Sequence, residues 1–297
     1  MKKEKTFIIG HKNPDTDSIC SAIAYADIKS RTSKGSFVAR RAGQINEETE
    51  FVLKYFHMDA PAYLPDVGTQ VKDMDIHMTP GAEKSMSVKR AWNLMREHNA
   101  VTLPITDKEG MLEGIITTGD IATSYMDAYD STLLSEARTQ YRSIADTLDG
   151  QVLVGNEHGY FIKGKVLVGS AHPDMMESYI ESDDMVILAN RAEDQLCAIE
   201  NNASCLIICL GAKVSQTIQR LAAERECVII TTPYDTFTVA RLIYQSIPVK
   251  YFMKKDNLIT FRSDDFTDKV KEVMTKNRYR AFPVVDKRGK YIGTVSR

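Results

Sequence analysis

Short apolar runs alternate with amphipathic segments from the start of the chain. Thr6-Phe7-Ile8-Ile9 reads as a buried strand, and residues 19–29 follow as a helix, because Ile19, Ala22, Ile23 and Ala26 recur at helical spacing. A second strand is expected over 36–40. Gly43-Gln44-Ile45-Asn46 then leads into a helix over 47–58, with Phe51, Val52, Tyr55 and Phe56 as its apolar face. Two successive βα units imply parallel strands. About 65 residues are too few to bury both faces of such a sheet, so this piece needs further chain to complete it. The proline-bearing run 60–66 reads as an extended linker that ends it.

Past the linker the pattern repeats. Pro104-Ile105-Thr106-Asp107-Lys108-x-Gly110-x-x-x-Gly114 matches Pro283-Val284-Val285-Asp286-Lys287-x-Gly289-x-x-x-Gly293 at a constant separation of 179 residues, Pro104 to Pro283. The same separation carries Met74 to Met253, Met95 to Met274 and Thr117 to Ser296. Each copy reads as a helix, an apolar strand opening near the proline, an Asp-Lys-x-Gly turn and a second strand. The stretch between the copies fits neither. Residues 131–147 read as a connecting helix. After it, strands at 165–169, 185–189, 205–210 and 227–232 alternate with helices at 173–180, 193–201, 214–225 and 237–245. That alternation predicts a compact α/β domain with a mostly parallel sheet.

Composition narrows the function classes. A net charge of −2 over 297 residues argues against a general nucleic-acid or membrane-surface binder. No apolar run reaches the length of a membrane span, and Lys2, Lys3 and Lys5 lead into a short strand rather than a signal-peptide core. The cysteines (Cys20, Cys197, Cys205, Cys209 and Cys227) lie inside apolar runs without metal-ligand spacing. They read as reduced core residues of a cytoplasmic protein.

Candidate chemistry concentrates between the first strand and its helix, in Gly10-His11-Lys12-Asn13-Pro14-Asp15-Thr16-Asp17-Ser18. Open α/β folds place their sites beyond the carboxyl ends of strands, and this loop carries one imidazole and two carboxylates there. Pro14 stiffens it, and Asp17 or Ser18 is available to cap the helix. His11, Asp15 and Asp17 suit a divalent ion such as Mn²⁺, Mg²⁺ or Co²⁺. The plainer alternative is an Asx-rich turn whose aspartates only cap the helix. His172-Pro173-Asp174 echoes the loop but lacks the second carboxylate, and reads as a helix start with proline in its first turn. Thr231-Thr232-Pro233-Tyr234-Asp235 reads equally as a ligand rim or a turn.

The string His-x-x-Pro-Asp-x-Asp-Ser resembles the first motif of the DHH phosphoesterases. The longer run from Gly10 through Ala26 resembles the manganese-dependent (family II) inorganic pyrophosphatases within them. The two copies resemble a pair of CBS domains, βαββα units around a pseudo-two-fold axis whose clefts take adenine nucleotides. Thr117-Thr118-Gly119-Asp120 matches that family's ribose and phosphate motif, and Asn99, Ala100 and Thr102 would line the same cleft. Arg278-Tyr279-Arg280 occupies the positions of Asn99-Ala100-Val101 in the second copy, and Ser296 and Arg297 would join it. Two guanidiniums around an aromatic ring suit phosphate and adenine. The intervening α/β domain resembles a DRTGG domain by position and pattern, although the five-letter signature is not present as such.

These resemblances imply an α/β chain in four parts: the N-terminal part of a DHH parallel-sheet domain (1–67), a first CBS unit (68–127), a connecting helix and DRTGG-like α/β domain (128–248), and a truncated second CBS unit (249–297). They imply nucleotide-regulated hydrolysis of pyrophosphate to two phosphates at a dinuclear Mn²⁺ centre, with Co²⁺ or Mg²⁺ as substitutes. His11 and Asp15 would bind one ion and Asp17 the other. AMP, ADP, ATP and diadenosine polyphosphates would be the regulators of a cytoplasmic homodimer, with no nucleic-acid or membrane partner. No Asp-His-His occurs in the sequence. The catalytic set is therefore expected to be incomplete here, and the chain to be the N-terminal part of a longer enzyme. Two other readings stand beside this one: a DHH phosphoesterase acting on short oligonucleotides or cyclic dinucleotides, and a non-catalytic adenine-nucleotide sensor.

Overall fold

The computed structural model describes residues 5–126, 130–277 and 279–296. Two of the candidate nucleotide contacts, Arg278 and Arg297, lie outside the described residues. The chain divides into two compact units, Met1–Thr69 and Gln70–Arg297.

In the first unit, strand β1 (Lys5–Ile9) pairs in parallel with β2 (Ser36–Arg41), and α1 (Thr16–Thr32) crosses between them. The cap of α1 is neither Asp17 nor Ser18. Asp15 takes that place, its carboxylate accepting the Ser18 N–H at 2.9 Å, so the helix starts three residues before the first apolar position. Helix α2 (Glu47–Tyr55) begins on an Asn46 cap. Its inward face differs from expectation: Thr49 and Leu53 are buried, while Phe51, Tyr55 and Phe56 are exposed. The reason is the phase set at the contact with α1, where the hydroxyls of Thr16 and Thr49 meet at 3.1 Å. The helix stops after Tyr55 because His57 turns left-handed and the Met58 N–H reaches back to the Leu53 carbonyl. The expected linker contains a third strand, β3 (Ala62–Tyr63), parallel to β2 with Arg40 opposite Ala62. Pro61, which has no N–H, precedes this edge strand without costing a ladder bond.

In the second unit the repeat keeps one register in both copies. Helix α3 (Val88–Glu97) and strands β4 (Thr102–Thr106) and β5 (Leu112–Thr117) are followed by α4 (Thr118–Met126). The second copy reproduces the register of α3, β4 and β5.

That domain opens with α5 (Leu133–Glu136), β6 (Thr139–Gln140) and α6 (Tyr141–Thr147) in place of the single helix expected over 131–147. Arg138 sits at φ +52° and breaks the helix, and β6 pairs with β8 (Tyr160–Phe161). Between them runs β7 (Gln151–Val154). Then β9 (Val166–Val168), α7 (Pro173–Met176), β10 (Met185–Leu188), α8 (Ala192–Glu200), β11 (Cys205–Ile208), α9 (Gln216–Glu224), β12 (Val228–Thr231) and α10 (Thr236–Leu242) follow in the expected alternation. The sheet runs β7-β12-β11-β10-β9, parallel except for β7 at one edge. Every residue of β10 and β11 is buried, because helices cover both faces. Such strands must be continuously apolar. Helix α7 starts with Pro173 at its first position, as expected of His172-Pro173-Asp174.

The second copy comprises β13 (Phe261–Arg262), α11 (Thr267–Lys276), β14 (Ala281–Val285) and β15 (Tyr291–Ser296). Thr102 faces Thr117 in β4–β5, and Ala281 faces Ser296 in β14–β15. Each hairpin has a bulge at the same place, Ile105/Thr106 and Val284/Val285. Gly110 and Gly289 hold the turns at φ +83° and +84°, where an L side chain is disfavoured.

Candidate functional site

A cleft of about 760 Å³ opens where the two copies meet. Its lining comes from both. Asn99, Ala100 and Thr102 precede or begin β4, and Tyr279 and Arg280 precede β14, while Ser296 ends β15. The approach to β4 is shaped by Asn99 at φ +48°, which ends α3 and lets the Ala100 N–H bond the Met95 carbonyl. Of the candidate nucleotide contacts, these six converge. The cleft also includes His77, Thr79, His98 and Thr294, to which the sequence reading assigned no contact. His77 enters by a backbone exchange with Thr294: each N–H donates to the other's carbonyl at 2.9 Å. The repeat could have pointed to Thr294, the counterpart of Ile115, but not to its partner.

Thr117 and Asp120 are not among the residues that line this cleft; they bond each other. One Asp120 oxygen accepts from the Thr117 N–H at 2.8 Å and from its hydroxyl at 2.7 Å, and the Thr117 hydroxyl accepts the Asp120 N–H at 3.2 Å. The other Asp120 oxygen lies 3.2 Å from the Lys254 ammonium, which is 5.5 Å from the centre of the Tyr279 ring. Thr118 parts from its neighbours. It lines a separate hollow of about 430 Å³ with Trp92, Ile121, Tyr125 and Tyr244. Thr231, Thr232 and Pro233 border a hollow of about 550 Å³ with Gly211 and Lys213, while Asp235 caps α10.

In the first unit, the loop after β1 places His11 Nε2 3.3 Å from Asp15 Oδ1, both side chains more than half exposed. The Ser18 N–H is the main cause that holds the Asp15 carboxyl below its usual range, and His11 adds to it. Asp17 accepts from the Ser21 hydroxyl at 3.3 Å. Gly43 lies beneath the loop, where a β-carbon would meet Pro14 Cδ at 2.6 Å and the Lys12 carbonyl at 2.7 Å. The buried Ser18 hydroxyl has no hydrogen-bond partner among the described residues. An imidazole facing an ionised carboxylate fits part of a divalent-ion site. Among the described residues, no group of three or more His, Cys, Asp or Glu side chains could hold a metal ion.

The CBS domain family matches residues 74–127 and 249–297, and the DRTGG domain family matches 143–246 between them. The chain is 38% identical over 295 residues to a cobalt-dependent inorganic pyrophosphatase of Clostridium perfringens (strain 13 / Type A), covering 99% of this chain and 54% of that protein. The chain belongs to the metal-dependent inorganic pyrophosphatases that carry CBS and DRTGG domains. A probable manganese-dependent inorganic pyrophosphatase of Thermotoga maritima is 30% identical over 295 residues, again 54% of its length. The chain thus spans about half the length of the curated relatives it matches. The crystal structure of the CBS and DRTGG domains of the Clostridium perfringens pyrophosphatase regulatory region, complexed with its activator diadenosine tetraphosphate, aligns with a TM-score of 0.73 and 36% identity. That alignment covers 77% of this chain and all of the other.

Proposed function

We propose that the protein to which these residues belong hydrolyses inorganic pyrophosphate at a dinuclear Mn²⁺ or Co²⁺ centre, under the control of adenine nucleotides bound between its CBS units. The observation that carries this reading is the continuity of the similarity. It runs over 295 residues to a cobalt-dependent pyrophosphatase, through the His11–Asp17 loop and the two-copy cleft alike.

His11 Nε2 and the Asp15 carboxylate would hold one ion, and Asp17, in the first turn of α1, would contribute to the other. Bound divalent ions supply an ionised water at neutral pH and offset charge on the phosphoryl oxygens. The chain's own part is orientation. The Ser18 N–H fixes the Asp15 carboxylate and keeps it ionised, and Gly43 seats the loop against Pro14. Three donors cannot complete two ions, so the remaining ligands and the groups that grip pyrophosphate would come from chain outside these 297 residues.

In the regulatory part, Tyr279 offers a face to adenine, Arg280 a charge to phosphate and Asp120 an acceptor to ribose. Arg278 and Arg297 would add charge to the same cleft. The parts are the DHH piece (1–67), the CBS units (68–127 and 249–297) and the DRTGG region (128–248), in a protein that pairs as a homodimer in the cytoplasm. All five cysteines are unpaired, and burial pushes the Cys209 and Cys227 thiols up to about 12, in keeping with a reducing compartment.

The test is phosphate release from pyrophosphate by the whole protein with Mn²⁺ or Co²⁺, with and without AMP, beside His11→Ala. Metal-dependent turnover that is lost in the variant and altered several-fold by AMP is expected. AMP binding without phosphate release would make the protein a sensor alone. Cleavage of cyclic dinucleotides in place of pyrophosphate would make it a different DHH phosphoesterase.

A further inference from the structure

Lys254 links the two copies beside the nucleotide cleft, sharing Tyr279 with its lining. Its backbone is laddered to the first copy, exchanging both hydrogen bonds with Ile115 at 2.9 Å. Its side chain reaches both copies, with the ammonium 3.2 Å from Asp120 Oδ1 and 5.5 Å from the centre of the Tyr279 ring. Asp120 is only 16% exposed, and its second oxygen is already taken twice by Thr117. The ring is steadied by an edge-to-face contact with Phe282, centroids 6.0 Å apart at 88°. The repeat places Asp75 opposite Lys254, so this cation occurs in one copy only.

We propose that Lys254 is a built-in occupant of the nucleotide site and its selector for phosphorylated ligands. The inference rests on the reading of the paired copies as an adenine-nucleotide sensor. A nucleoside that places its ribose hydroxyls on Asp120 and its base on Tyr279 takes both partners from Lys254. The ammonium is then left without an opposing charge. A 5′-phosphate supplies a replacement for the lost carboxylate. The exchange is therefore complete for a nucleotide and incomplete for a nucleoside, and selection against adenosine follows without any contact that recognises its missing phosphate directly. The same exchange removes a side-chain link between the copies, because the ammonium tied to Asp120 of the first copy also covers Tyr279 of the second.

The experiment is calorimetric titration of the protein with AMP and with adenosine, for the parent, Lys254→Met and Lys254→Arg. The parent should prefer AMP. In Lys254→Met, adenosine should bind about five- to twentyfold more tightly, the worth of one partly exposed ion pair plus one cation–π contact, with AMP changing less. Lys254→Arg should keep the parental preference. If Lys254→Met weakens AMP and leaves adenosine unchanged, Lys254 is an ordinary phosphate ligand and the proposal is wrong. An unchanged AMP-to-adenosine ratio overturns it as well, with the sensor reading intact. A parent that binds neither ligand removes the sensor reading and this inference with it. Should Lys254→Met fail to fold by circular dichroism, Lys254→Gln, which keeps a polar head but no charge, takes its place. Tighter adenosine binding there supports the proposal, and parental or weaker binding overturns it.

Discussion

Met111 pairs by a backbone bridge with Lys290, and the two residues are the same position of the repeat. An element that meets its own counterpart lies on the axis relating the two copies. Around that axis, the equivalent glycines Gly114 and Gly293 each receive a backbone segment belonging to the other copy. A β-carbon on Gly114 would stand 2.8 Å from the Lys254 carbonyl, and one on Gly293 would stand 2.9 Å from the His77 carbonyl.

Gly293→Ala tests that close approach. Gly293 is at φ +149°, so alanine adds backbone strain to the collision with His77. We expect a loss of about 1–3 kcal/mol in the second unit, read as a lowered thermal midpoint. AMP affinity should fall as well, because the Thr294–His77 pairing forms one wall of the cleft.

Asp15 combines a helix cap with a candidate metal ligand, and two substitutions separate the roles. Asn is as good a cap as Asp, so Asp15→Asn should leave the melting curve unchanged while lowering pyrophosphate turnover of the whole protein by orders of magnitude. Asp15→Ala should lose that activity and also lower the melting temperature, because the cap is lost. Near-parental turnover of Asp15→Asn at saturating Mn²⁺ would reduce Asp15 to a cap.

These 297 residues expressed alone should release phosphate from pyrophosphate no faster than their His11→Ala variant, with Mn²⁺ or Co²⁺. The ligand count on the loop sets this outcome. Turnover clearly above the control would mean that the described donors suffice.

Acid should destabilise the fold through its turn and cap carboxylates. Asp286 is held below its usual 3.8 by the Lys290 and Arg288 N–H groups, Asp235 by Thr238 and Asp15 chiefly by the Ser18 N–H. A folded-state value below the unfolded one stabilises above the unfolded value, about 3.8, and that contribution disappears as pH falls through the folded value. Thermal midpoints should be insensitive to these groups between about pH 5 and 7 and decline below about pH 4. Asp286→Asn, which cannot titrate, should show a shallower decline.

Much of the second unit was legible because the repeat carries its own register. The separation read from Pro104 and Pro283 reproduces both hairpins, both bulges and both ends of α3 and α11. What escaped depends on partners far along the chain. The Ala62–Tyr63 strand exists because β2 offers it an edge, and the break at Arg138 exists because β8 captures Thr139 and Gln140. Neither event leaves a periodic signal. The aromatic face of α2 was misplaced for a related reason, since its packing on α1, where Thr16 meets Thr49, turns Thr49 and Leu53 inward. At the cleft, Asn99, Ala100, Thr102, Tyr279, Arg280 and Ser296 were legible from the repeat. Lys254 was not, because it acts by reaching between copies and has an acidic counterpart.

The exchange between His77 and Thr294 joins positions 217 residues apart. During synthesis, the ribosome must therefore make the entire DRTGG region before the strand that closes the first copy's flank emerges. The intervening sheet, whose strands follow one another closely in sequence, can assemble while it is being made. The first copy has to wait, its edge unpaired, for a segment delivered many seconds later. An early-folding domain that holds the two late partners near each other shortens the search they must make. On this view, the insertion acts as a folding jig for the pair that flanks it.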